Sequence, residues 1–199
     1  MNKKTRRYFV VGTLLVLATS ISFSITAFIN IKNAKTSSKL LEIADSIIDD
    51  KKSENNDSVI EEEVFSIENI NQDEDIIGKL IISAIDVEAP IKEGTSQDVL
   101  KDAIGHFSNT KYWNGNVCLA SHNRGTYAHY FENLNKLNTG DTIKYSTKVG
   151  TRIYEVKEIK EISEQDLTVL NNTDRNCLTL ITCIKNKPKS RLCVKAIEI

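Results

Sequence analysis

Hydrophobic and polar positions divide the chain into three stretches of different texture. From Tyr8 to Ile29 no side chain can ionise except the Tyr8 phenol, and Lys3, Lys4, Arg6 and Arg7 stand just ahead of this run. Its length matches the ~20 residues that an α-helix needs to cross a hydrocarbon core. Thr13, Thr19, Ser20, Ser22, Ser24 and Thr26 dilute the run, but small hydroxyls can bond back to carbonyls of their own helix. A removable signal peptide has a shorter apolar region that ends in a small-residue cleavage site. No clean site of that kind follows here, so the pattern predicts an uncleaved transmembrane helix over residues 8–29. The basic cluster on the short N-terminal side keeps residues 1–7 in the cytoplasm and sends everything beyond Ile31 outside.

The second stretch, residues 30–75, reads as an extracellular stalk or linker. Leu40, Leu41, Ile43, Ala44, Ile47 and Ile48 form a short amphipathic pattern that suits a helix between Ser37 and Ile48. From Asp49 to Glu63 the chain is crowded with Asp, Glu, Lys, Ser and Asn and offers little to bury. Phe65 is the only aromatic residue of the whole 30–75 stretch, so the segment reads as a tether rather than as a lid over a site.

From Ile76 onward the pattern becomes strand-like. Apolar, β-branched runs cover Gly78–Ser83, Ala89–Lys92, Asn116–His122, Thr142–Ser146, Arg152–Ile162, Cys177–Thr182 and Leu192–Ile199, with turn residues between them. Short helical patterns lie at Gln97–Ala103 and Phe131–Leu137, with a turn of helix near Glu164–Leu170. Many short strands at close spacing predict a mainly β domain over residues 76–199, a closed or nearly closed barrel with short helices. Lys plus Arg (26) almost balances Asp plus Glu (27); no single-sign field favours nucleic acid.

Chemistry enters with cysteine. Outside the cell, four cysteines (Cys118, Cys177, Cys183 and Cys193) would ordinarily suggest two disulfides. Three of them sit inside apolar strand runs, where Cys behaves as a small hydrophobe. Cys183 instead closes the run Leu178-Thr179-Leu180-Ile181-Thr182 and precedes a polar segment with Lys185, Lys187, Lys189 and then Arg191. That is a setting in which a partly exposed thiolate is stabilised. A nucleophilic thiol needs a proton-transfer partner. Of His106, His122 and His129, His122 leads because it too ends a strand-like run. Glu158, Glu161, Glu164 and Asp166 cluster near a turn, a pattern that reads as a solvated face before it reads as a calcium site.

Thr179-Leu180-Ile181-Thr182-Cys183 resembles the T-L-x-T-C signature of sortases. Arg191 resembles the third member of their Cys, His and Arg site, and Ala120-Ser121-His122-Asn123 is similar to the strand end that carries their His. Pro90-Ile91-Lys92-Glu93-Gly94, Gly105-His106-Phe107, and Phe131-Glu132-Asn133-Leu134 leading to Gly140-Asp141-Thr142-Ile143 fall in the family's order.

This resemblance implies a closed eight-stranded mixed β-barrel and a cysteine transpeptidase on the outer face of a Gram-positive-type envelope. It implies Cys183, His122 and Arg191 as catalytic residues, with Thr182, Ser121 and Ala120 against substrate, and no metal or organic cofactor. The implied partners are surface proteins or pilins with a C-terminal L-P-x-T-G-like motif, and an amine of a peptidoglycan precursor or of a pilin as acceptor. Ser83 stands where many sortases have Pro, and Asn123-Arg124-Gly125 replaces the familiar Arg-Asp after the His. The short Ile162–Cys177 connection has no room for the long helix of class B, so class D or a related class fits best. The same residues would also serve a peptidase that only hydrolyses its thioester, and a non-catalytic binding module would leave Cys183 buried.

Overall fold

The computed structural model describes residues 2–50 and 76–199. Residues 51–75, the larger part of the segment read as a linker, lie outside the described residues. Helix α1 covers Lys3–Asp50, and the chain divides into two compact units, one ending at Thr36 and one running over Ser37–Ile199. In the first unit Leu15, Val16, Leu17, Ile21, Phe23, Ile25 and Phe28 all stand exposed. The helix is long and apolar enough to cross a membrane. Its hydroxyls are satisfied locally: Thr19 Oγ1 donates to Val16 O (2.9 Å), Ser24 Oγ to Ser20 O (2.9 Å) and Thr26 Oγ1 to Ser22 O (3.0 Å).

The second unit is a closed barrel of eight strands. These are β1 (Ile76–Ile82), β2 (Val87–Glu93), β3 (Ile104–His106), β4 (Asn116–Ala120), β5 (Thr142–Thr147), β6 (Gly150–Ser163), β7 (Cys177–Ile184) and β8 (Lys187–Glu198). Their order around the barrel is β1-β2-β3-β4-β7-β8-β6-β5. Two pairings, β2 with β3 and β4 with β7, are parallel, and the others are antiparallel. Alternate side chains point inward: Leu80, Ile82, Val117, Leu119, Ile143, Tyr145, Tyr154, Val156, Leu178, Leu180 and Val194 fill the core. Closure at β1 and β5 depends on Gly78, because a Cβ there would lie 2.1 Å from Ser146 O.

Several element boundaries differ from the sequence pattern. The helix predicted at Gln97–Ala103 is α2, Gln97–Leu100, capped by Ser96 Oγ accepting from Val99 N (3.3 Å). Of Phe131–Leu137 only Leu134–Lys136 is helical, and of Glu164–Leu170 only Leu167–Leu170, both as single 3-10 turns. The first part of the expected linker is helical and packed. Leu40 and Ala44 of α1 bury against Ile76, with Ile43 and Ile47 beside them. Lys79 Nζ pairs with Asp45 and, at 3.2 Å, with Glu88. Ser37 Oγ lies 2.9 Å from Tyr130 Oη, which donates to Asp102 O (3.1 Å). The amphipathic stripe over 37–48 is therefore one wall of the barrel unit.

Candidate active site

Strand β7 sets the position of the thiol. Leu178 and Leu180 enter the core, so Cys177, Thr179, Ile181 and Cys183 fall on the opposite face. Cys183 is exposed, whereas Cys118, Cys177 and Cys193 are buried, and all four thiols are free. Burial holds Cys118 up at about 12 and Cys193 up at about 11, so neither supplies a thiolate near neutral pH.

His122 follows the end of β4, the strand that pairs in parallel with β7. Ala120 of β4 pairs with Ile181 of β7, the last rung of that ladder, and Ser121, His122 and Asn123 follow it. Three bonds hold this segment onto β7: Ser121 N donates to Ile181 O (3.4 Å), Thr182 Oγ1 to Ser121 O (2.7 Å) and Asn123 Nδ2 to Cys183 O (2.5 Å). The His122 carbonyl also accepts from Phe131 N (3.2 Å). His122 Nε2 and Ser121 Oγ are buried without a hydrogen-bond partner among the described residues. Strand β4 ends at Ala120, so His122 stands two residues beyond the strand that was expected to contain it.

Arg191 does not open the following strand, as the sequence pattern suggested. Strand β8 begins at Lys187, after a two-residue turn in which Asn186 takes a positive φ of 63°. The segment after Cys183 is thus a hairpin, and Arg191 lies directly across from Cys183. Opposed residues of an antiparallel pair share a face of the sheet. Pairing passes from Cys183↔Arg191 to Ile184↔Lys187, leaving Pro188, Lys189 and Ser190 as a bulge on β8. Arg191 Nη1 donates to Pro188 O (2.8 Å) and Ser190 O (2.9 Å), and Nη2 to Glu164 Oε2 (3.0 Å). Of the three lysines expected near the thiol, Lys187 is committed to Glu161 at 2.6 Å, whereas Lys185 lines a cleft of about 440 Å³ together with Cys183, Thr182, Asn123, Arg124, Glu132 and Leu192.

Residues 80–199 match the family model described as "Sortase domain". The chain belongs to the sortase family. Sortase A of Bacillus anthracis is 28% identical over 122 residues, 61% of this chain and 58% of that one. Sortase D of Bacillus subtilis (strain 168) is 31% identical over 120 residues, 56% and 59% of the two chains. The match thus spans less than two thirds of the length of these relatives. Among solved structures, a Sortase D5 transpeptidase of Clostridium perfringens superposes with a TM-score of 0.66 at 35% identity, covering 83% of this chain and 99% of that one.

Within this sortase the three histidines have separate fates. His129 is exposed, with Nδ1 2.8 Å from Tyr127 O and Nε2 3.4 Å from Glu132. His106 is 2% exposed, its Nδ1 2.8 Å from Glu93 Oε2 and its Nε2 donating to Lys111 O (3.0 Å). It ties β2 to the loop after β3. Burial pushes the Glu93 carboxyl up, but the bonds from His106 and Ser108 outweigh it and leave the group below its ordinary 4.5. A depressed carboxylate adds stability that is complete above pH 4.5 and is lost as pH falls through the lower folded-state value. His106→Asn is therefore expected to lower Tm at pH 7 and to flatten the acid limb of a Tm-versus-pH curve. An unchanged acid limb would contradict this role.

The carboxylates considered for calcium each have a partner: Glu158 with Lys160 (3.1 Å), Glu161 with Lys187, Glu164 with Arg191, and Asp166 with Thr168 N (3.1 Å). The sequence reading missed the β8 bulge and the Asn123 bond to Cys183 O. Pro188 was the available signal for the first, because proline inside a strand marks an edge or a bulge.

Proposed function

We propose that this sortase is a membrane-anchored cysteine transpeptidase of the class D type. It cleaves an L-P-x-T-G-like C-terminal motif after Thr and passes the protein to an amine of a peptidoglycan precursor or of a pilin. The observation that carries this reading is the exposed Cys183 with Arg191 directly across the hairpin; His122 stands just past the end of β4, and its neighbour Asn123 bonds to Cys183 O. The Cys183 thiolate attacks the Thr carbonyl carbon, and a C–S bond forms as the peptide C–N bond breaks. His122 gives its proton to the departing amine. The incoming amine then attacks the thioester, His122 takes a proton from it, and the thiolate leaves. Splitting one acyl transfer into two is the gain of covalent catalysis, while Arg191 meets the developing oxyanion and the substrate backbone.

Thr182, Ser121 and Ala120 would lie against the bound motif, since they share the β4–β7 seam that ends at Cys183. Residues 1–7 are cytoplasmic, 8–29 anchor the chain, 30–75 connect, and 76–199 carry out the reaction outside the membrane; the docked residues 37–50 brace that domain. The test is a labelled peptide ending in the sorting motif, incubated with and without an added amine and followed by mass spectrometry. A peptide–amine product is expected. Cleavage that never yields the amine adduct would mean a hydrolase, and intact peptide would remove the activity altogether.

A further inference from the structure

The residue that grips Arg191 has no part in the chemistry above. The three-residue bulge Pro188–Ser190 lies beside the Cys183↔Arg191 pair, and a bulge takes backbone groups out of the ladder. The bulge is against β7 alone, since Ser190 stays paired with Ser163 of β6, and all three of its carbonyls have partners. Arg191 Nη1 takes those of Pro188 and Ser190, and the backbone N–H of Glu164 takes that of Lys189 (2.9 Å). Glu164 then adds its carboxylate to Arg191 Nη2 (3.0 Å). Glu164, just past the end of β6, thus holds both the bulge and the guanidinium that sits on it.

Arginine has five N–H donors in one plane. Three of them are engaged by these bonds, which leaves two of the five to meet an oxyanion and a substrate carbonyl. Arg191 and Glu164 are 27% and 37% exposed, so the ion pair adds little to stability. Its consequence is orientation. Without Glu164 only Nη1 stays anchored, on Pro188 O and Ser190 O, and the far edge of the guanidinium can swing about it.

We propose that Glu164 is a positioning residue: it fixes the plane of the Arg191 guanidinium on the β8 bulge, so that the two remaining donors stay turned to the acyl group on Cys183. This rests on the transpeptidase reading of the site. Small misplacements of an aligned group cost large factors in rate.

The test compares Glu164→Ala and Glu164→Gln in the full chain, with and without Arg191→Ala. Glu164→Ala is expected to lower kcat on a sorting-motif peptide roughly tenfold with KM little changed. Glu164→Gln, which keeps an acceptor for Nη2, should recover most of that loss. On the Arg191→Ala background Glu164→Ala should cost nothing more. Independently of activity, phenylglyoxal should modify Arg191 faster in Glu164→Ala than in the unmodified chain, as read by peptide mapping. Equal labelling of Arg191, or an equal loss of kcat on the Arg191→Ala background, overturns the positioning role. Absence of cleavage in the unmodified chain overturns the transpeptidase reading, while the labelling result still reports whether Glu164 holds Arg191.

Discussion

Cys183→Ala is expected to abolish both cleavage of a sorting-motif peptide and transfer to an amine, a loss of at least about ten-thousandfold, as when another acyl-transfer nucleophile is deleted. The barrel should melt at an unchanged temperature, because the exposed side chain leaves no buried gap. Cys118→Ala, Cys177→Ala and Cys193→Ala should keep turnover and lose about 1–2 kcal/mol each as small cavities open. The contrast follows from burial. A thiol that burial pushes up to about 12, as it does Cys118, stays protonated near neutral pH and is no nucleophile. Turnover remaining in Cys183→Ala, or an intact mass that reveals a disulfide through Cys183, would remove the thiol from the mechanism.

Strands with one face in the core and one outside were visible in the chain, because alternation is the only way such a strand can satisfy both environments. Strand β3 escaped for the opposite reason. Ile104, Gly105 and His106 are all buried, so the segment does not alternate, and three residues are too few for any period. Its parallel pairing with β2 depends on the crossover through α2, which is a tertiary fact. The stripe on residues 37–48 was visible as a stripe, but its partner Ile76 lies beyond a polar run that suggested separation.

The candidate site divides along the same line. The positions of Cys183 near the end of β7 and of His122 just past β4 could be read because each follows a buried run and leads into polar residues, a local pattern. Opposition of Arg191 to Cys183 depends on hairpin register, and register depends on how many residues the bulge absorbs. A polar run with three lysines reads as a loop when only composition is weighed. Asn186 in the left-handed region and Pro188 in the strand are what turn it into a tight hairpin with a kinked β8. Glu164 was visible only as one of four acidic residues near a turn, which are ordinarily solvated; nothing local marked its pairing with Arg191, 27 residues away.

Arg191→Lys tests whether the hairpin places a cation or a shaped donor. If a positive charge near Cys183 were all that mattered, lysine would be almost neutral, because an exposed pair such as the one with Glu164 is worth ~0–1 kcal/mol. The bonds describe something more specific. One guanidinium spans Pro188 O, Ser190 O and Glu164 Oε2, and it can do so only because its donors are fixed in a plane. A lysine ammonium has three donors on one nitrogen and cannot hold the bulge carbonyls and the carboxylate while facing an acyl oxygen. Loss of a single oxyanion donor costs on the order of 100–1000-fold in turnover, and Arg191→Lys is expected in that range, with the barrel folded and Cys183 still open to a neutral thiol reagent. Lys189→Ala is the control, for its side chain is exposed and only its backbone carbonyl is used; it should stay within about twofold of the unmodified chain, as surface substitutions generally do. Turnover on a sorting-motif peptide, measured side by side, decides the matter: equal and small effects in both variants would make Arg191 an ordinary surface charge and return the oxyanion to another donor.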